Sequence, residues 1–207
     1  PREVWPGDLS FLKRMSKEII SRSKNSDFDC IIGLSGGLDS SFLAHLAVSE
    51  MGLKPLLVHV DAGWNNATAV SNVAKISKAL NLDLHTIIYP WGVMRELQLS
   101  FFKSGLPHLD VPQDAAFFSC LYEYATKFKI KSVLTGANLM TESVREPFSW
   151  GAYPGNDPVF INSVYQETYN KPLSGVNIIS SLKSRIIYRH LFGMKIFKPL
   201  NDLKYSK

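Results

Sequence analysis

Only two cysteines, Cys30 and Cys120, occur in 207 residues. That leaves no disulfide framework and, without a CxxC pair, none of the common zinc or dithiol redox motifs. No apolar run approaches the roughly 18–20 residues of a membrane-spanning helix. The longest stretches, such as Pro55–Val60, have the length of a buried strand. There are no internal repeats and no low-complexity tract. With 45% apolar and 20% charged residues and a mean hydropathy of −0.01, disorder, collagen and coiled coil are poor descriptions. A reducing, cytoplasmic setting is expected, with no membrane partner. The chain opens on Pro1 rather than Met, which leads to the expectation of a fragment of a longer protein.

What the sequence does have is an uneven charge. The formal balance is +5, yet residues 171–207 hold eight basic groups against the single acid Asp202, and the first 170 residues carry a slight acidic excess. Asymmetry of this kind signals an anionic partner or a docking surface, with a solvated helix face as the plain alternative.

Apolar spacing gives the coarse architecture. Phe11, Leu12, Met15, Ile19 and Ile20 fit a helix over Ser10–Ser23. Apolar strands are expected over Asp27–Leu34, Pro55–Val60, Leu82–Ile88 and Lys131–Leu134, with helices over Asp39–Met51 and Asn65–Leu80 between them. Strand and helix alternating at this rhythm means right-handed crossovers, hence an α/β fold with a parallel twisted sheet and helices on both faces. Val93–Lys103 and Gln113–Phe128 also read as helices, Glu146–Gly155 as an ordered loop, Gly175–Phe192 as a helix and Met194–Pro199 as a last strand. The expected organisation is an N-terminal helix (1–26), a nucleotide-binding α/β unit (27–145), and a C-terminal portion (146–207) of aromatic loop, basic helix and final strand.

The segment that carries chemistry is Ser35-Gly36-Gly37-Leu38-Asp39-Ser40-Ser41, between the first strand and the second helix. Glycines let main chain approach a ligand closely, and such a turn points several N–H groups into one concavity. The helix N-terminus adds roughly half a positive charge, and Ser35, Ser40 and Ser41 add hydroxyls. This is a phosphate cradle. It is not a Walker A loop, because no Lys occurs between Ser35 and Lys54, and it lacks the G-x-G-x-x-G dinucleotide spacing. Asp39 would repel a phosphate unless a cation lay between them, which implies Mg²⁺ with Asp39 as its ligand.

Ser35-Gly36-Gly37-Leu38-Asp39-Ser40 resembles the SGGxDS signature of the PP-loop ATP pyrophosphatases, whose fold is the adenine nucleotide alpha-hydrolase-like, Rossmann-like sheet. The resemblance implies that the loop binds ATP by its β,γ-pyrophosphate, that Mg²⁺ bridges to Asp39, and that attack occurs at the α-phosphate. It places His59, Val60 and Asp61, at the end of the second strand, against the adenine, largely through backbone groups. Asp61 reads equally as a turn carboxylate. Gly136, ending the fourth strand, would lie against the nucleotide. Gly136-Ala137-Asn138 with Thr141-Glu142 looks like the glycine–asparagine–glutamate loop of NAD synthetase, with one extra residue before the Glu.

Four further segments narrow the resemblance: His59-Val60-Asp61-Ala62-Gly63-Trp64-Asn65, Asp110-Val111-Pro112-Gln113-Asp114, Leu134-Thr135-Gly136-Ala137-Asn138, and Phe197-Lys198-Pro199-Leu200-Asn201-Asp202. In that order they resemble the N-acetyl sugar amidotransferases of bacterial surface-polysaccharide (lipopolysaccharide O-antigen) biosynthesis. The resemblance implies conversion of an acetamido group on a nucleotide-activated sugar to an acetamidino group, through adenylation by ATP and attack by ammonia. Lys198 is the expected basic partner of the leaving pyrophosphate, with Arg185 or Arg189 second. Trp64, Asn65, Asn138, Glu142 and Arg145 are expected on the substrate side; Trp150 and Tyr153 read either as substrate contacts or as loop anchors. Cys30 on a strand and Cys120 mid-helix read as core, so no glutaminase nucleophile is apparent and a separate glutaminase subunit is implied. A homo-oligomer stays open. The competing readings are a PP-loop tRNA-modifying enzyme of lysidine or thiolation type, and a non-catalytic ATP-binding regulator. The clustered basic groups are not interleaved with aromatics, so nucleic acid is not the expected partner.

Overall fold

The computed structural model describes residues 10–137 and 157–203. Five strands form one parallel sheet in the order β3-β2-β1-β4-β5. They are β1 (Cys30–Gly33), β2 (Pro55–Asp61), β3 (Leu84–Ile88), β4 (Ser132–Leu134) and β5 (Lys195–Phe197). Ile31, Ile32, Leu56, Leu57 and Leu134 are wholly buried. Strands covered on both faces read as continuous apolar runs rather than alternating ones, which is why they were legible.

The alternation of side chains sorts two cores. Cys30, Ile32, Leu57 and Leu134 face α1 (Ser10–Arg22), α2 (Leu38–Ser49) and α3 (Ala67–Leu80), which contribute Leu12, Leu43 and Val73. Ile31, Leu56, Val58 and Val133 face α5 (Val111–Lys127) through Leu121 and Ala125. Behind α5, α4 (Trp91–Ser104) and α6 (Pro158–Tyr169) form a third cluster around Leu97, Phe101 and Ile161. At about 1.5–3 kcal/mol per buried large apolar side chain, these layers dominate the stability.

Local chemistry sets the ends. Asn66 caps α3 by accepting from the Ala69 N–H at 2.7 Å, and Asn81 closes it at φ 51°. Helix α6 has no counterpart among the sequence expectations. Its signal is nevertheless present: Asp157 accepts from the Val159 N–H at 2.8 Å, and Pro158 opens the helix. The single helix expected over Gly175–Phe192 is corrected. Gly175 sits at φ 84°, and residues 176–180 run across α5, where the Ile179 N–H donates to Ser119 Oγ at 2.8 Å. Helical backbone starts at Ser181 and continues as a π-helix over Ser184–Leu191.

Helices α4 and α6 are joined at the surface by a polar cluster. Tyr165 Oη donates to Glu96 Oε2 at 2.5 Å, and Lys171 Nζ lies 2.9 Å from the same oxygen. The tyrosine bond first, and Lys171 second, hold the Glu96 carboxyl below its ordinary value of 4.5. A lowered folded pKa stabilises the fold above the ordinary value, and that contribution is lost as pH falls through the folded one. Glu96→Gln should therefore lower the thermal midpoint at pH 7 by up to roughly 3 °C. The difference from wild type should close on acidification; a difference unchanged down to pH 3 would contradict it.

Candidate functional site

The strand order turns at β1: β2 and β3 lie on one side, β4 and β5 on the other. Crevices at such switch points, beyond the carboxyl ends of the strands, are where open α/β sheets bind ligands. A cavity of about 680 Å³ opens there. Among the described residues, Ser35, Gly37, Asp39 and Ser40 line one end, with Gly136 beside them.

The loop is tied internally. Ser40 Oγ accepts from the Ser35 N–H at 3.3 Å and lies 3.1 Å from Ser35 Oγ, while Ser35 Oγ accepts from the Gly37 N–H at 3.3 Å. Gly36 has φ 78°, and a Cβ there would lie 2.3 Å from the Ala69 carbonyl oxygen of α3. Asn72 of α3 donates to the Gly36 carbonyl at 3.1 Å. Gly37, the residue preceding α2, supplies no side-chain cap to that helix, so the first-turn N–H groups have no capping side chain ahead of them. Gly136 packs directly on this start, since a Cβ on it would meet the Asp39 carbonyl carbon and the Ser40 nitrogen at 3.3 Å.

Of the residues expected to hold nucleotide, Ser35, Gly37, Asp39, Ser40, His59, Val60 and Gly136 line the cavity. Gly36 shapes the loop from behind. Ser41 is directed away, its hydroxyl donating to the Gly37 carbonyl at 2.5 Å. His59 acts through its side chain rather than its backbone alone. It is 4% exposed, and Nδ1 lies 2.7 Å from the Leu34 carbonyl, which can only accept. Nδ1 therefore carries the proton, and Nε2 accepts from Asn65 Nδ2 at 3.2 Å. The ring thus clasps the end of β2 to the residue before the loop. Asp61 completes the clasp as a turn carboxylate, accepting from the Gly63 N–H at 2.8 Å and from Asn65 Nδ2 at 3.1 Å.

The substrate-side expectations divide. Asn65 lines the cavity. Trp64 does not: its ring packs edge-on against Trp91, with centroids 4.7 Å apart, and Trp91 in turn covers Gly63. Asn138, Glu142, Arg145, Trp150, Tyr153 and the loop over residues 146–155 lie outside the described residues. Lys198 is exposed and directly follows β5, beyond the bond from the Thr135 N–H to the Phe197 carbonyl at 3.0 Å, but it is not among the residues lining the cavity. Arg185 and Arg189 are exposed on the π-helix and do not line it either.

The opposite wall comes from α5: Gln113 and Asp114, from a segment the resemblance singles out without assigning roles, and Phe117, Phe118 and Leu121, which sequence alone placed at no site. Their spacing of three and four places them on one helix face, which was a readable signal. Phe117 reaches far enough that a Cβ on Gly33 would lie 2.1 Å from its ring. Asp114 meets water through the open mouth, yet the protein crowded around it, and then Asp110, push its carboxyl above the usual range. Thr135 Oγ1 is buried beside the cavity with no hydrogen-bond partner among the described residues, which leaves it able to bond a ligand there.

Both cysteines are core. Burial and then Asp29 push the Cys30 thiol far up; burial and then Glu123 push Cys120 to about 12. Among the described residues no three His, Cys, Asp or Glu side chains could together hold a metal, and no helix is long and apolar enough to cross a membrane. Asp39 nonetheless suits Mg²⁺, which is bound through one or two carboxylates together with substrate phosphates rather than by an all-protein cage. Its Oδ1 is buried at the head of α2, on the rim of the cradle.

No family model matches the chain. It is 26% identical over 107 residues to an NH(3)-dependent NAD(+) synthetase of Methanococcoides burtonii, covering 47% of this chain and 38% of that protein's length. Among solved structures, a U34-tRNA thiolase of Methanococcus maripaludis superposes with a TM-score of 0.50 at 14% identity, over 96% of this chain and 66% of that one. An NMN synthetase of Francisella tularensis gives 0.48 at 23%, over 64% and 56%. The likeness to the thiolase is one of fold: the parallel sheet with helices on both faces is the PP-loop, adenine nucleotide alpha-hydrolase-like architecture.

Proposed function

We propose that the chain is a PP-loop ATP pyrophosphatase that adenylates the acetamido group of a nucleotide-activated sugar and replaces its oxygen with ammonia. AMP and pyrophosphate are the co-products, and the sugar leaves as an acetamidine. The observation that carries this reading is convergence. The four segments that resemble sugar amidotransferases are scattered between His59 and Asp202, yet three of them line one cavity, through His59, Val60 and Asn65, through Gln113 and Asp114, and through Leu134–Ala137. The fourth is hydrogen-bonded to the third through Thr135 and Phe197. That cavity begins at the SGGLDS loop.

The geometry supports a division of labour. The N–H groups at the head of α2 and the Ser35 and Ser40 hydroxyls receive the pyrophosphate end of ATP. Asp39 is the residue that would hold Mg²⁺, and the ion would supply charge neutralisation at the pyrophosphate. Val60 backbone, Ala62 and the apolar Phe117 and Phe118 side chains flank the base. The amide oxygen of the sugar attacks the α-phosphorus in line with the departing pyrophosphate; ammonia then adds to the activated carbon and AMP leaves. Positioning and preorganised charge supply the rate. Cys30 and Cys120 are both buried, and a separate glutaminase subunit is the proposed source of the ammonia.

The acceptor decides between this and the alternatives. Mg-ATP is incubated with a UDP-linked acetamido sugar and ammonium, or with tRNA, and AMP is quantified. AMP formation dependent on the sugar supports the proposal. Dependence on tRNA would assign a tRNA-modifying enzyme, as the overall likeness to a tRNA thiolase allows. Tight ATP binding without turnover under either condition would assign a regulator.

A further inference from the structure

The cavity is built from the two faces of the sheet, and the faces carry different chemistry. Helix α2, with the phosphate loop at its head, and α3, which follows β2, pack on one face; α5 packs on the other. The first turns of α2 and α5 both end at the cavity and both carry an acid, Asp39 and Asp114. Helix α2 sets its acid among the glycines and hydroxyls of the phosphate loop, whereas α5 sets Asp114 beside the amide Gln113 with no such loop. Asp110 stands just before them. Two carboxylates cancel the attraction that a helix start has for phosphate, so this end asks for a hydrogen-bond donor or a nascent cation. Crowding already holds the Asp114 carboxyl above the usual range.

In-line displacement then orders the reactants. The leaving pyrophosphate sits on the α2 side, so the attacking oxygen arrives from the opposite side, which is the α5 wall. We infer that Asp114, with Gln113 beside it, is the acceptor's anchor: its carboxylate receives the N–H of the acetamido group and not any part of the nucleotide. This rests on the sugar amidotransferase reading. As the amide oxygen bonds to the α-phosphorus, the phosphorus–oxygen bond to pyrophosphate breaks and its electron pair leaves with pyrophosphate. Positive charge grows on the amide nitrogen. The N–H proton passes to Asp114, leaving a neutral O-adenylyl imidate. Ammonia adds to the imidate carbon, the carbon–oxygen bond breaks, AMP departs with the electron pair, and the product leaves as an amidinium carrying the three hydrogens of ammonia. Asp114 returns its proton to water.

The test reads binding. Wild type and Asp114→Asn are titrated calorimetrically, first with Mg²⁺ and the non-cleavable analogue AMPCPP. The AMPCPP complexes are then titrated with UDP-N-acetylglucosamine or with UDP-glucose, which lacks the acetamido group. Both proteins should bind AMPCPP within about twofold of each other. The wild-type complex should prefer the acetamido sugar at least about tenfold, the worth of one charge-assisted hydrogen bond, and Asp114→Asn should erase that preference. Equal wild-type affinity for the two sugars would overturn the anchor, as would a tenfold loss of AMPCPP affinity in Asp114→Asn. AMPCPP binding with neither sugar nucleotide bound would overturn the acceptor class and the anchor together. Failure of wild type to bind AMPCPP at all would instead overturn the ATP-binding reading beneath them.

Discussion

Asp39→Ala is expected to lower pyrophosphate release from Mg-ATP by at least about a thousandfold while leaving the protein folded. The two halves of that expectation have separate causes. Asp39 lies in the first turn of α2, where a carboxylate contributes only about 0.3–1 kcal/mol through the helix dipole. Its loss should move the thermal midpoint by no more than about 4 °C. In the proposed reaction, the same carboxylate would be the protein's hold on the cation that offsets charge at the pyrophosphate. A loss of about 4 kcal/mol of transition-state stabilisation is a factor of about a thousand. Turnover within tenfold of wild type would remove Asp39, and with it the metal, from the mechanism.

Gly36→Ala should be the most damaging of the conservative changes. The residue sits at φ 78°, where an L side chain costs about 1–2 kcal/mol. The added methyl would also lie 2.3 Å from the Ala69 carbonyl, a backbone atom that cannot turn away. Either the loop lifts or the first turn of α3 moves. We expect a midpoint at least about 4 °C lower and AMPCPP affinity reduced at least about tenfold. Gly37 is the internal comparison. Its φ is −80°, and a Cβ there would meet only Ser35 Oγ, at 3.3 Å, so Gly37→Ala should keep the midpoint within about 2 °C. Equal tolerance at both positions would mean that the loop does not hold the described conformation.

How much of this was legible in the sequence depended on whether the signal was local. The phosphate loop was, because its glycines, hydroxyls and acid are contiguous and a strand runs straight into a helix. The central strands β1, β2 and β4 were, because burial on both faces makes them plain apolar runs. The far wall was legible in part: the segment over residues 110–114 stood out by resemblance. That Gln113 and Asp114 share a cavity with the phosphate loop, and that Phe117 joins them, follows only when β4 crosses to the other side of β1 and α5 covers the opposite face of the sheet. Trp64 looked like a free stacking surface because nothing in the sequence pairs it with Trp91, 27 positions on. His59 was expected to work through its backbone; the added role of its ring, which reaches from β2 to the Leu34 carbonyl just after β1, is visible only in the fold. The π-helix at Ser184–Leu191 has a composition that an α-helix would share, so its winding was not readable; in the fold its Tyr188 stacks on Tyr122 of α5.

The central claim is that this loop directs cleavage between the α- and β-phosphates of ATP. Phosphorus NMR of Mg-ATP incubated with the chain, ammonium and a UDP-linked acetamido sugar tests it most directly, because the products differ in every resonance. The account predicts AMP and pyrophosphate in equal amounts, formed only with the sugar present. ADP and inorganic phosphate would contradict it.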